Sequence, residues 1–257
     1  IIADTSVGKS IISHWLMWML SQQGYRSLVV STEMDRNEIL RRIAGMEAQV
    51  DFQAITKRAV ASGPERKRLN QAIETLNTQN RIVVCDVGQI RLDVLVAEVT
   101  RLRRMSQIDA VFIDHIQHVQ VKGIPSNQQT ARLEVVTATL KALAMNEDVP
   151  IVQVSHINRE SAKAGFAGVH GGKGSGSIEQ DSNVQIELTA VKWDKTTRSF
   201  EPFVDELEAT TYQASHNRQP IRVQVNKNRS GGRPWDVLIR DWERGGRFCP
   251  PEQEDLA

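Results

Sequence analysis

The first ten residues constrain this chain more than any other stretch. Ala3-Asp4-Thr5-Ser6-Val7-Gly8-Lys9-Ser10 has the pattern of a phosphate-binding loop. Such a loop joins a strand to a helix. Its backbone N–H groups cradle phosphate oxygens, and the helix N-terminus adds partial positive charge. In that reading Asp4, Thr5, Ser6, Val7 and Gly8 form the cradle, Lys9 reaches the β- and γ-phosphates, and the Ser10 hydroxyl ligates Mg²⁺. The general motif opens on Gly where this chain has Ala3, and a bare Gly-Lys-Ser tripeptide also marks ordinary helix starts. The next residues favour the loop: Ile11, Ile12, Trp15, Leu16, Met19 and Leu20 recur at helical spacing on one expected face, and Gly24 ends the pattern. The chain opens on Ile1 with little room for the preceding strand, and reads as a cropped or processed protein.

The 257 residues are 25% charged and 40% hydrophobic, an ordinary globular composition with material for one large domain. A net charge of +1 excludes a global basic field, so any nucleic-acid contact must come from local patches. Cys85 and Cys249 lie far apart without metal-ligand spacing and read as reduced thiols. No apolar run approaches the ~20 residues that span a bilayer, so no membrane partner is expected. A cytoplasmic setting is the first expectation and a mitochondrial matrix the alternative.

Short apolar runs alternate with helical patterns. Strands are expected at Ser27–Ser31, Arg81–Cys85, Ala110–Ile113, Pro150–Ser155, Val184–Leu188 and Ile221–Val225, with a closing hairpin from Val237–Ile239 and Gly246–Phe248. Helices are expected at Arg36–Val50, Leu92–Met105 and Leu133–Met145, and over Ala59–Asn77 with a break at Gly63-Pro64. This alternation predicts a mostly parallel central sheet flanked by helices. Two long segments lie outside it: a Gly-rich stretch between His156 and Glu179, and an irregular polar region from Lys192 to Gln219.

Three polar residues fall where predicted strands end, which is where open α/β sheets bind ligands. Asp114 either holds the water shell of Mg²⁺ beside Ser10 or caps the next turn. Glu33 either polarises an attacking water or is a solvated helix-start glutamate. His156 either senses a γ-phosphate or is polar surface. Arg229 has the fork that stabilises transition-state charge on a phosphoryl group, with Lys227 on the same side of an extended strand. The alternative is two exposed cations before Gly231-Gly232. Lys163 and Lys173 lie in the Gly-rich stretch, where backbone N–H groups and ammonium groups can follow a nucleic-acid backbone. The alternative is a plain surface loop.

Taken in order, the motifs resemble the C-terminal motor domain of DnaB-like replicative helicases, and the related phage primase-helicases and Twinkle-type helicases. ADTSVGKS is similar to the family's phosphate loop, whose first position is often Ala; STEMDRNEILRRI resembles its catalytic-glutamate segment and VFIDHIQHV its metal-aspartate strand. PIVQVSHINRE resembles the stretch ending in the γ-phosphate sensor, GSGSIEQDSN the DNA loop with the residues just after it, and VNKNRSGG the segment that reaches a neighbour's nucleotide. The resemblance implies a RecA-like P-loop NTPase over residues 1–257, without the family's N-terminal domain and linker helix. It implies ATP or another NTP with Mg²⁺, a hexameric ring, and single-stranded DNA. Primase and a helicase loader are further expected partners. It assigns Glu33 to water activation, Asp114 to the metal, His156 to the sensor, Lys227 and Arg229 to the adjoining subunit's site, and Lys173, Gly174 and Gly176 to DNA. The chain departs from many members at Lys173-Gly174, where an Arg-Glu pair is usual, and at His156, where many carry Gln. Alternatives are a RecA-like ATPase acting as loader, recombinase-type filament or regulator, and an inactive scaffold. Trp242 and Phe248 read as core aromatics or as stacking partners for a base.

Overall fold

The computed structural model describes residues 1–3, 7–57, 63–156, 175–203, 208, 211–212, 218–232, 234–241 and 243–252. Five parallel pairings build the centre of a ten-stranded sheet. These strands are β1 (Ile2–Ala3), β2 (Ser27–Ser31), β3 (Ile82–Asp86), β5 (Ala110–Asp114), β7 (Ile151–His156) and β8 (Val184–Asp194). Their order across the sheet is β3-β2-β5-β7-β1-β8. Antiparallel strands β10 (Arg218–Asn228), β11 (Trp235–Asp241) and β12 (Arg247–Cys249) extend it beyond β8, and β9 (Ser199–Pro202) folds back on β8. Short strands β4 (Ile90–Arg91) and β6 (Val119–Gln120) pair apart from it.

Why the middle strands are continuous apolar runs follows from their two covered faces. Every residue of β2 and β5 is buried. Side chains alternate across a strand, so Leu28, Val30, Val111 and Ile113 face one core while Val29, Ala110 and Phe112 face another. The first core is closed by Leu95, Val99 and Leu102 of α5 (Leu92–Arg104) and by Leu133, Val136 and Leu140 of α6 (Gln129–Asn146). The second is closed by Met17 of α1 (Lys9–Gln22) and by Ile39 and Ile43 of α2 (Arg36–Ala48).

Several expectations need correction. In α1 the buried residues are Lys9, Ile11, Ile12, Ser13, His14, Met17 and Ser21, while Met19 is exposed. The helix packs against the sheet, α2 and β12, so more than one stripe is covered and small polar residues take the tight contacts. The expected break at Gly63-Pro64 is instead the start of α4 (Gly63–Gln79), where a first-turn proline is tolerated; residues 58–62 lie outside the described residues. A short α3 (Phe52–Thr56), capped by Asp51, precedes it. The polar region after Lys192 is partly regular: Trp193 packs edge-on to Phe200 at 5.1 Å, and Asp194 accepts hydrogen bonds from Thr196 N and Thr197 N in the turn. The closing hairpin is present, with Ile239 opposite Cys249. Its Gly245, at φ +73, lies against α2, where an added Cβ would fall 2.2 Å from Gly45 O. Phe248 is buried beside Trp15 at 5.4 Å and serves the core; Trp242 lies outside the described residues. Both cysteines are free thiols.

Candidate nucleotide-binding site

Parallel pairing brings the strand ends to one edge. Ser31 is level with Asp114, Asp114 with Val154, and Ala3 with His156. The chain therefore leaves β1 beside the end of β7, one strand away from β5. Asp4, Thr5 and Ser6 lie outside the described residues; Val7, Gly8, Lys9 and Ser10 connect directly into α1. Gly8 has φ +111, a conformation that an L side chain adopts only with strain. Lys9 is 7% exposed, and its Nζ donates to Ala3 O at 2.8 Å. The ammonium is thus folded back onto the end of β1, at the N-terminus of a 14-residue helix.

Asp114 is 3% exposed at the end of β5. Thr32 stitches this end to β2: its N and Oγ1 donate to Asp114 O at 2.7 and 3.2 Å, and His115 N donates to Thr32 Oγ1 at 3.2 Å. Glu33 comes next on the β2 side, with a half-exposed side chain whose Oε1 lies 3.4 Å from His115 Nδ1. Ligand-capable atoms of Glu33, Asp114 and His115 lie within 4.8 Å of one another. Two carboxylates at this edge, with the Ser10 hydroxyl in the first turn of α1, are oxygen donors that suit a small hard cation such as Mg²⁺. The turn after β5 is tied down as well. Gln117 Nε2 donates to Ser155 Oγ at 2.7 Å, and buried Arg132 donates to Gln117 O at 2.9 Å. Ser155 immediately precedes His156, which ends β7 as expected.

Three residues here were not singled out from the sequence. His115 follows Asp114 directly, so its signal was adjacency within VFIDHIQHV. Gln117 carried no signal of its own. Arg240, near the end of β11, is 4% exposed, and its Nη1 lies 3.2 Å from where a Cβ on Gly8 would sit. Burial pushes its guanidinium well below its ordinary range, and the charge of Arg42 adds to the shift. Its only trace in the sequence is a basic residue inside an apolar strand.

Lys227 and Arg229 come together, but not with the residues above. Asn228 pairs with Val184, the first residue of β8, whereas Ala3 pairs with Leu188. The two cations therefore lie toward the opposite end of the sheet, about 13 Å back along the strand direction. Helix α7 (Ser175–Asp181) receives them: Lys227 Nζ donates to Glu179 O and, at 3.2 Å, to Gln180 O, while Arg229 Nη2 donates to Gln180 O at 2.7 Å. Desolvation, then the Arg229 charge, lowers the Lys227 pKa from the ordinary lysine range. Helix α7 is itself anchored to α6 by Thr137 Oγ1 on Asp181 Oδ2 at 2.6 Å. Gly176 belongs to the first turn of α7 rather than to a loop. Lys163, Lys173 and Gly174 lie outside the described residues.

A mostly parallel sheet with a phosphate loop after its central strand, and acidic residues at the adjacent strand ends, defines a RecA-like P-loop nucleotide-binding domain. The model of the DnaB-like helicase C terminal domain matches residues 1–236, and the chain belongs to that family. It is 26% identical over 208 residues to the replicative DNA helicase DnaB of Mycoplasma pneumoniae, covering 79% of this chain and 41% of that protein. It is 26% identical over 187 residues to a probable plasmid replicative DNA helicase of Chlamydia trachomatis, covering 72% and 41%. The chain thus spans about two fifths of the length of these curated relatives. Among solved structures, one described as an ATPase domain superimposes with a TM-score of 0.77 at 20% identity, covering 98% of this chain and 83% of that one. A DnaB-like replicative helicase described with its primase interactions gives 0.75 at 20% identity, covering 98% and 56%. Among the described residues no helix is long and apolar enough to cross a membrane.

Proposed function

We propose that this chain is the nucleotide-driven motor of a ring-shaped replicative DNA helicase, working in the cytoplasm on single-stranded DNA. The observation that carries the subunit arrangement is the separation of two sets of residues. Lys9, Glu33 and Asp114 gather at one end of the sheet, while Lys227 and Arg229 lie toward the other. That offset, about 13 Å along the strands, supports a reading in which a second copy supplies the cations. The family and the named helicase relatives support the same reading.

In this reading the backbone N–H groups of residues 4–8 hold the phosphates of ATP or another NTP. Lys9 exchanges Ala3 O for β- and γ-phosphate oxygens. Ser10 and Asp114 hold Mg²⁺, which supplies charge neutralisation at the phosphate oxygens. Glu33 orients and deprotonates the attacking water, while Arg229 and Lys227 of the adjoining subunit meet the charge that develops on the transferred group. His156 reports the γ-phosphate to the Gly-rich segment beyond it, where Lys163, Lys173 and Gly174, with Gly176 of α7, contact DNA. Primase, named with one structural neighbour, is a proposed partner of the whole protein, as is a loader.

Turnover measured across protein concentration, with and without single-stranded DNA, tests this. Rates per chain should rise with assembly and with DNA, and Arg229→Ala should lower the assembled rate by about 10³-fold or more. Flat rates indifferent to Arg229 would end the ring reading. Turnover without strand displacement in the full-length protein would favour a loader, filament or regulatory ATPase.

A further inference from the structure

We propose that His115 is a positioning residue for Glu33, holding its carboxylate through Nδ1 in the orientation that activates water. The inference rests on the assignment of Glu33 to water activation in the proposed function. Four observations carry it. His115 Nδ1 lies 3.4 Å from Glu33 Oε1, slightly longer than a hydrogen bond. The imidazole is 5% exposed, whereas the Glu33 side chain is 41% exposed, so the ring is the fixed partner and the carboxylate the movable one.

The ring is also held from the other side. His118 packs against it, with centroids 4.2 Å apart and planes at 52°. Its backbone is fixed to β2 through Thr32, and the following turn is fixed to β7 through Gln117 and to α6 through Arg132. A side chain clamped on this many elements can restrict a glutamate that lies two residues beyond the end of β2 with a half-exposed side chain. In both the Nδ1–H tautomer and the imidazolium, the nitrogen facing Glu33 is a donor, so the contact does not depend on a change of charge. Holding a general base within a few tenths of an ångström affects the chemical step more than binding.

The experiment is steady-state turnover of the full chain with Mg·ATP and single-stranded DNA, alongside the affinity of a fluorescent ATP analogue. The variants are His115→Phe, His115→Asn and Glu33→Gln. His115→Phe should lower kcat at least about tenfold while KM and analogue affinity stay within about twofold. His115→Asn, whose amide reproduces a donor near the Nδ1 position, should recover most of the rate. Glu33→Gln should remove turnover and keep analogue binding.

The inference is overturned if His115→Phe turns over like the parent, or if His115→Asn fails equally and both lose analogue affinity, which marks a purely structural role. A large change in Mg²⁺ half-saturation with kcat intact would also overturn it, by assigning His115 to the cation. Should Glu33→Gln keep its turnover, the assignment of Glu33 falls instead, and the positioning role with it. Should His115→Phe fail to fold, His115→Asn and His115→Leu compared by the same kcat-against-affinity split decide between the outcomes.

Discussion

The two halves of the proposed site are built in opposite ways. At the phosphate-loop end, Lys9, Asp114, His115 and Arg240 are all nearly buried, and their surroundings come from β1, β2, β5, α1 and β11 of the same chain. At the other end, Arg229 is exposed and Lys227 half-buried, and the acceptors that hold them are carbonyls at the end of a short helix. The buried half is organised before anything binds. The exposed half is charge held at an edge by backbone carbonyls. In the proposed ring motor this division would have a use: the buried half would keep its shape through each cycle, while the exposed half would engage and release.

The largest expected effect tests the division itself. Arg229→Ala preparations should turn over about 10³-fold or more slower than the parent, and Glu33→Gln preparations at least about 10²-fold slower. Mixed before assembly, they should recover more than tenfold over either alone, because some interfaces then pair an intact Glu33 with an intact Arg229. If mixing restores nothing, the two groups act within one chain and the comparison fails.

A smaller effect probes how tightly the buried half is formed. Gly8→Ala places a methyl group 3.2 Å from Arg240 Nη1 at φ +111. It should cost about 1–3 kcal/mol of stability and at least about tenfold in nucleotide affinity, read by thermal melting and analogue titration. Unchanged affinity would mean that the loop tolerates a different path.

The smallest concerns pH. Burial first, and the Arg42 charge second, lower the His14 pKa to about 3. The folded state therefore keeps this imidazole neutral where the unfolded chain, titrating near 6.5, takes up a proton. Stability is fully present above the unfolded pKa and is lost as pH falls toward 3, by about 2 kcal/mol between pH 7.5 and 5. Urea midpoints across that range, compared with His14→Met, should show the slope in the parent and a flatter line in the variant. His14 sits about one and a half turns after Lys9 in α1, so the same acidification should act on the start of α1 before it affects the α7 edge.

Much of this was legible in the residues because it depends on local pattern. The runs SLVVS and AVFID mark fully covered strands, since only apolar side chains suit both faces of a buried strand. Glu33 and Asp114 stood out as polar residues at strand ends. The buried face of α1 is not legible in the residues because a helix covered on several sides has no single apolar stripe, and nothing local reveals how many neighbours it will have. The hairpin of β8 and β9 was passed over because its polar turn looks irregular until Trp193 and Phe200 meet across it.

The sequence by itself determined the parallel core, the phosphate loop and the chemical identity of the acidic groups, because spacing of two and of three to four residues is physics that short segments carry alone. Tertiary structure decided which groups share a site. Register placed His115 beside Glu33, brought Arg240 from the far end of the chain under Gly8, and set Lys227 and Arg229 toward the opposite end of the sheet. Contacts such as that between Gly8 and Arg240, 232 positions apart, depend on strand order and register, which no local pattern encodes.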